Sequence, residues 1–395
     1  MTMLTSLLAH LSTVPGPPPS VTPASNQSTS SGTPLWATLL VGLAGALLAS
    51  AGAFAGAWRS SRALRQNTER TLEHERTRLL NERFSTAAEL LGHNEAACRL
   101  AGVHAMAGLA DDWTERRQTC IDVLCAYLRM PYPRGLAEYT RDDEDPNGQA
   151  NREVRLTVIR TIRDHLLPAN PAETSWSGYD LDFTGAVFDG GDFSNARFSG
   201  GKVRFTGATF SGGLVSFYEA TFSGGSVGFY GATFSGSEVL FRGATFSGGS
   251  VNFRGATFSG GSVNFRGATF SSDVVNFDRA AFSGGEVGFY GATLSSGKVS
   301  FYGAKFSSGT VNFDRAKFSR GTVNFGRAKF SGATVTFHAA QFDGGVVDMR
   351  DVATWSRPPS LDEGLLTAPP AGLLLPGALP KPKPGNRDGG PTHQG

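Results

Sequence analysis

The spacing of phenylalanine constrains this chain more than any other feature. Of 29 Phe, 27 lie between Phe183 and Phe342. Phe183, Phe188, Phe193 and Phe198 are five apart. From Phe198 the gaps alternate seven and five, through Phe205, Phe210, Phe217, Phe222, Phe229 and Phe234 and then Phe253, Phe258, Phe277, Phe301 and Phe325, to Phe342, with Leu294 the one substitute. The period is twelve, roughly V-x-F-x-G-A-T-F-S-G-G-S, as in 251–258 and 263–270. Twelve units run from Val203 to the one that opens at Val335, and Val347-Asp348-Met349 reads as a decayed thirteenth. A fixed short period of this kind specifies a solenoid rather than a mixed globular domain.

Within each unit a Phe follows a small or β-branched residue by two positions, as in Val203/Phe205 and Ala208/Phe210. Residues two apart on an extended chain point to the same side. Val or Ala and Phe therefore face inward together, and the residues between them face out. Glycine at the corners tolerates the bends. The phenylalanines named above, from Phe205 to Phe325, are thus expected to form a structural core ladder.

The five-residue faces at Ala186-Val187-Phe188-Asp189-Gly190 and Ala208-Thr209-Phe210-Ser211-Gly212 resemble the pentapeptide-repeat family, and the resemblance covers about 180–350. It implies a β-solenoid, a right-handed quadrilateral β-helix with an axial Phe/Leu ladder. Two extra positions per twelve, such as Gly213-Leu214, depart from that pattern and lengthen the coil from twenty residues to twenty-four. Twelve residues per coil with two faces also satisfies the period. Stacked about 4.8 Å apart, the coils would make a rod of roughly 34 Å. The stretch 82–108 is similar to helical segments beside transmembrane spans in some bacterial pentapeptide-repeat proteins.

Upstream, residues 1–34 carry no Lys, Arg, Asp or Glu and read as a disordered N-terminus. Residues 35–58 are uncharged and rich in Leu, with Trp36 and Trp58 near the ends. As a helix this run spans roughly 36 Å, enough for one transmembrane helix. A buried soluble helix or a signal sequence, with small-residue triplets near 51–57, is the competing reading. Arg59, Arg62, Arg65 and Arg70 follow the span and none precedes it. The positive-inside rule then places the N-terminus outside and the solenoid in the cytoplasm, at the plasma membrane. Gly52 and Gly56 form a G-x-x-x-G pair suited to a homodimer through the transmembrane helix.

Residues 59–84 read as a charged juxtamembrane helix, solvated alone or paired as a coiled coil, and 85–175 as a small all-α region with 176–350 as the solenoid. Asp112 and Glu115 look like a capping box that opens a helix ending before Pro131, and a further helix is expected over 151–167. Three cysteines (Cys98, Cys120, Cys125), without C-x-x-C or nearby His spacing, suggest reduced thiols and no zinc. The Pro/Gly-rich segment 351–395 reads as a disordered tail.

Residues 176–350 hold 15 basic and 12 acidic side chains, a net +3. That argues against mimicry of DNA, which some pentapeptide-repeat proteins achieve with an acidic rod. Arg242, Arg254 and Arg266 and Tyr218, Tyr230, Tyr290 and Tyr302 occupy outward positions. Lys305, Arg315, Lys317, Arg320, Arg327 and Lys329 make the C-terminal coils basic and are candidate contacts for an anionic partner. With the shorter coil, Lys305, Lys317 and Lys329 would form one stripe; with the longer, Lys317 would lie opposite. Gly224-Gly225-Ser226-Val227-Gly228 matches a nucleophile elbow only within the repeat consensus. No catalytic constellation, cofactor site or metal site is expected. The sequence points to a membrane-anchored, non-enzymatic scaffold for an unknown protein partner, with nucleic acid disfavoured. A regulator of DNA or of a DNA enzyme, or an extracytoplasmic adhesive module of reversed topology, are the alternatives.

Overall fold

A computed structural model describes residues 35–131, 146–295 and 297–377, with backbone alone for 35–57, 59–61, 63 and 146–147. The expected disordered N-terminus and the end of the tail lie outside the described residues. Contacts divide the chain into 1–74 and 75–395.

In the first unit, helix α1 (Leu35–Leu91) begins. The side chains of 35–57, on which the membrane span and the Gly52/Gly56 contact rest, lie outside the described residues. Among the described residues, no helix is long and apolar enough to cross a membrane. Leu64 and Leu72 are exposed, and Arg62 stacks over Trp58 at 4.1 Å.

The second unit opens with the last turns of α1, where Leu80, Ala87 and Leu91 become buried at helical spacing. They join α2 (Ala96–Asp112), α3 (Arg117–Arg129) and α4 (Pro146–Asp164) in one small core around Val103, Met106, Ile121, Leu124 and Val158. The capping box is not formed. Asp112 is the last residue of α2, and its carboxylate accepts from Arg83 at 2.8 Å. A 3-10 turn, Thr114–Arg116, intervenes, and α3 starts without a side-chain cap. Helix α4 begins earlier than its apolar pattern suggested, because that first turn is polar and carries no periodic signal.

The solenoid follows. Throughout its middle, parallel strands pair two sequence units apart: Phe234 with Phe258, Val239 with Val263, Phe246 with Phe270 and Val251 with Val275. Each coil therefore has four faces and consumes two units, which settles the longer, twenty-four-residue coil. Face I runs from Leu181–Asp182, face II from Val187–Phe188, face III from Gly191–Asp192 and face IV from Arg197–Phe198. Only the first coil is shorter: Leu181 pairs with Val203, two positions short of the full period, because one of its corners lacks the two-residue insertion. Face I carries nine strands and hence eight turns, about 38 Å at the usual strand spacing. Faces II and III join into one sheet where Ala281–Gly288 and Lys305–Asn312 pass the corner without a break.

Inside, the phenylalanines form four columns, one per face. Phe229, Phe253 and Phe277 stack at 4.6 and 4.7 Å with rings within 3° of parallel. Phe210, Phe234 and Phe258 stack at 4.7 and 4.8 Å. Rings of facing columns meet edge to face, as Phe229 does with Phe241 at 89°. This satisfies the ring quadrupoles in both directions. All eleven expected ladder residues are at most 1% exposed. At about 1.5–3 kcal/mol for each buried large apolar side chain, the ladder supplies the main cohesion of the rod.

Both ends are closed. At the N-terminal end α3 and α4 lie on the first coil, and the fully buried Trp176 stacks on His165 at 4.1 Å. The buried guanidinium of Arg155 donates to the carbonyls of Leu128 and Val187. That of Arg117 donates to Ala110 at 2.8 Å, and to Asp111 and Glu173. At the C-terminal end the chain departs from the expected disordered tail from 351 onward. Thr354–Trp355 and Leu373–Leu374 add strands, with the short helix α5 (Glu363–Thr367) between them. The reason is apolar content within the Pro-rich stretch. Trp355 meets Phe330 edge-on at 5.3 Å, and Leu361 and Leu373 are buried over the last coil.

Candidate interaction surface

Because Val, Ala and Phe fill the interior, the variable chemistry of the rod lies at outward strand positions and corners. Outward Asn residues are structural: Asn252, Asn264 and Asn276 accept from the amides two residues on, at 2.9, 2.9 and 2.7 Å. These side-chain turns shape the corner that follows Phe.

The coil length sorts the six candidate cations. Lys305 and Lys329 are register partners on face II. Arg327 sits on the corner between faces I and II, next to them. Lys317 lies on face IV, pairing with Thr293 and with Gln341. Arg315 is on the corner between faces III and IV. Arg320 follows face IV at the corner back to face I. All six are exposed, but they do not form one patch, and the single lysine stripe that a two-faced coil would give does not exist. Lys305 above Lys329 sets like charges side by side, an arrangement that disfavours the sheet unless an anion lies across it.

Sequence reasoning missed how the remaining outward residues align. Taken along the chain they read Tyr218, Tyr230, Arg242, Arg254, Arg266, Arg279, Tyr290, Tyr302, Arg315, Arg327. Folded at two units per coil, alternate members fall on diagonally opposite corners. The corner between faces III and IV carries Tyr218, Arg242, Arg266, Tyr290 and Arg315 on five successive coils. The corner between faces I and II carries Tyr230, Arg254, Arg279, Tyr302 and Arg327. The order is the same on both, but Arg279, Arg315 and Arg327 stand one place further along their corners than the other members, whose register there is taken by Asp278, Asp314 and Gly326. The signal was present in the sequence, but only the coil length reveals it.

Arg266 and Arg315 flank the Tyr290 ring at 5.0 and 5.6 Å, and Arg327 lies 5.9 Å from the Tyr302 ring. Tyr230 is 51% exposed. A hydrogen bond with Glu219 beside it pushes the Tyr218 phenol above its usual value.

Three further features carry less chemistry. The Gly224–Gly228 segment contributes Ser226 to a face-I strand, with no elbow around it. Burial pushes the thiols of Cys120 and Cys125 up to about 11 and about 12, which leaves them as unreactive core residues. A shallow cleft of about 720 Å³ beside the first coil is lined by Arg117, Asn170, Glu173, Tyr179 and Arg197. Its buried guanidinium, Arg117, is already engaged by carbonyls. Among the described residues, no group of three or more His, Cys, Asp or Glu could hold a metal ion.

A parallel four-sided β-solenoid with stacked Phe columns and repeat-derived corners defines the chain as a short-period repeat protein. Residues 178–221 and 217–262 match the family described as pentapeptide repeats, in nine copies. The solenoid thus carries pentapeptide repeats, with a unit lengthened from ten residues per two faces to twelve. No curated protein and no solved structure matches it.

Proposed function

We propose that the chain is a membrane-anchored, non-enzymatic scaffold that presents its solenoid to protein partners in the cytoplasm. The observation that carries the scaffold reading is the division of labour in each coil. The interior is nearly constant, with Leu294 the one replacement in the Phe ladder, so most outward residues vary without altering the backbone that displays them. Surfaces of this kind serve recognition in repeat proteins. The anchor rests on the uncharged run 35–58, and the orientation on Arg59, Arg62, Arg65 and Arg70 behind it. Gly52 and Gly56 would allow two anchors to pack closely.

Two measurements test this. Protease treatment of intact cells should leave the repeat uncut; cleavage within 203–342 would reverse the topology and favour an extracytoplasmic module. Proximity labelling from the C-terminus should enrich a small set of cytoplasmic or membrane proteins. Labelling that matches a free cytoplasmic control would overturn the scaffold.

A further inference from the structure

The two corner columns share three properties that the fold does not require. First, among the described residues none of Arg242, Arg254, Arg266, Arg279, Arg315 and Arg327 forms an ion pair, although all are exposed. Second, three of these guanidiniums lie over a tyrosine ring of the neighbouring coil: Arg266 and Arg315 over Tyr290, and Arg327 over Tyr302. A guanidinium held over a ring keeps its in-plane N–H donors free for a carboxylate, whose geometry their fork suits. Third, Arg279, Arg315 and Arg327 hold φ of 56°, 56° and 54°, at a corner position where other coils use glycine, such as Gly231, Gly255 and Gly291 at 63°, 69° and 62°. An arginine there strains the backbone, and such strain commonly marks function.

We propose that each column is a docking edge for an extended acidic polypeptide segment, so that one rod carries two such segments on opposite corners. This rests on the scaffold reading and names its partner chemistry. Five coils span about 19 Å, which an extended chain covers in about six residues. The ligand is a peptide rather than a nucleic-acid strand because the edges are not continuously positive. Glu219 lies in one column, Asp314 directly precedes Arg315, and Asp278 directly precedes Arg279. Spaced guanidiniums interrupted by carboxylates suit side-chain carboxylates that can be placed between them. An unbroken phosphate backbone would meet repulsion at each interruption, and the solenoid offers only +3 in all.

The test uses the full chain, purified in neutral detergent, with a fluorescein-labelled peptide of about eight residues in which glutamate alternates with serine as the probe, long enough for one edge. Expected is saturable binding at two peptides per chain, weakened by salt. Changing Arg242, Arg266 and Arg315 together to Gln should halve the stoichiometry, and adding Arg254, Arg279 and Arg327→Gln should weaken binding by about a hundredfold or more. Arg279→Gly, Arg315→Gly and Arg327→Gly guard against misfolding: they should weaken binding while each raises the melting temperature by about 2–4 °C through relief of strain. Absence of binding at low ionic strength, a stoichiometry unmoved by the six changes, or tighter binding of an oligothymidylate of equal length would overturn the proposal. None of those results bears on whether proximity labelling in cells finds a partner, so the edges and the scaffold can fail separately.

Discussion

The middle coils of the solenoid and its two ends are held by different physics. In the middle, with Leu294 the one exception, the coils repeat the same contact one full turn away: Phe on Phe, Val on Val, amide on carbonyl. No charged side chain takes part in that interior. At the ends the pattern runs out and single polar contacts take over. Arg155 and Arg117 bond to carbonyls that have no strand partner, and Arg129 reaches Asp182 at 2.6 Å. At the far end Asp362 accepts from His338 at 2.9 Å and from the amide of Ala339 at 2.7 Å. Repetition makes the middle redundant, whereas each end depends on a few residues that occur once. A repeat protein of this kind should be robust in its coils and sensitive at its caps.

The strongest challenge to that contrast is to break the ladder itself. Phe253→Ala removes a ring stacked between Phe229 and Phe277 and should cost about 3–5 kcal/mol, read by urea unfolding. If repetition confers redundancy, the lost ring should lower the midpoint without splitting the transition. Two separated transitions would show that coils on either side unfold independently. At the N-terminal end, Arg155→Met leaves the carbonyls of Leu128 and Val187 without their donor and should cost about 2–3 kcal/mol. Hydrogen exchange should locate that loss in α3, α4 and the first coil; an even loss along the rod would refute the idea that caps act locally. A gain sharpens the comparison from the other side. Leu294 interrupts a column between Phe270 and Phe318, so Leu294→Phe should complete the stack and stabilise by up to about 1 kcal/mol. A destabilised variant would mean the column has relaxed around leucine.

The smallest effect is on pH. Burial alone would lift the Asp182 carboxyl, but the Thr184 hydroxyl and amide, and then Arg129, outweigh it and hold the group below its ordinary 3.8. The hydrogen bond from His338, followed by the Ala339 amide, lowers Asp362 likewise. A carboxyl whose folded value is depressed contributes stability above its unfolded value and loses it as pH falls through the folded one. Acid below 3.8 should therefore loosen both ends before the coils, seen as faster exchange of the Ala339 and Thr184 amides. Asp182→Asn should remove that dependence at the first end only.

How much of this was legible in the sequence depends on whether a residue belongs to the repeat. The inward Phe, Val and Ala positions could be read in full, since their alternation fixes which side of a strand they face. The coil length could not, because residues one unit apart occupy equivalent positions whether they are stacked or opposed. That ambiguity hid the two tyrosine–arginine columns, whose members are adjacent only in a coil of two units. The C-terminal cap was hidden for a different reason: Trp355, Leu361 and Leu373 cover the core once each, without period, inside a stretch whose Pro and Gly suggested disorder. Asp112 shows the limit of local motifs. A capping box needs the chain to leave its previous helix before the aspartate, and α2 continues through it to meet Arg83.

The pairing of two sequence units per coil has a consequence for length variation. Loss of two units from the middle would shorten the rod by one rise of about 4.8 Å and leave every downstream residue on its own corner. Loss of one unit would keep the interior equally well filled, yet rotate everything downstream by half a turn. Tyr290 would then join the column of Tyr230, and the composition of both edges would change although no surface residue had been substituted. For this molecule, deletion of one unit is an exchange of sides, and deletion of two is only a change of reach.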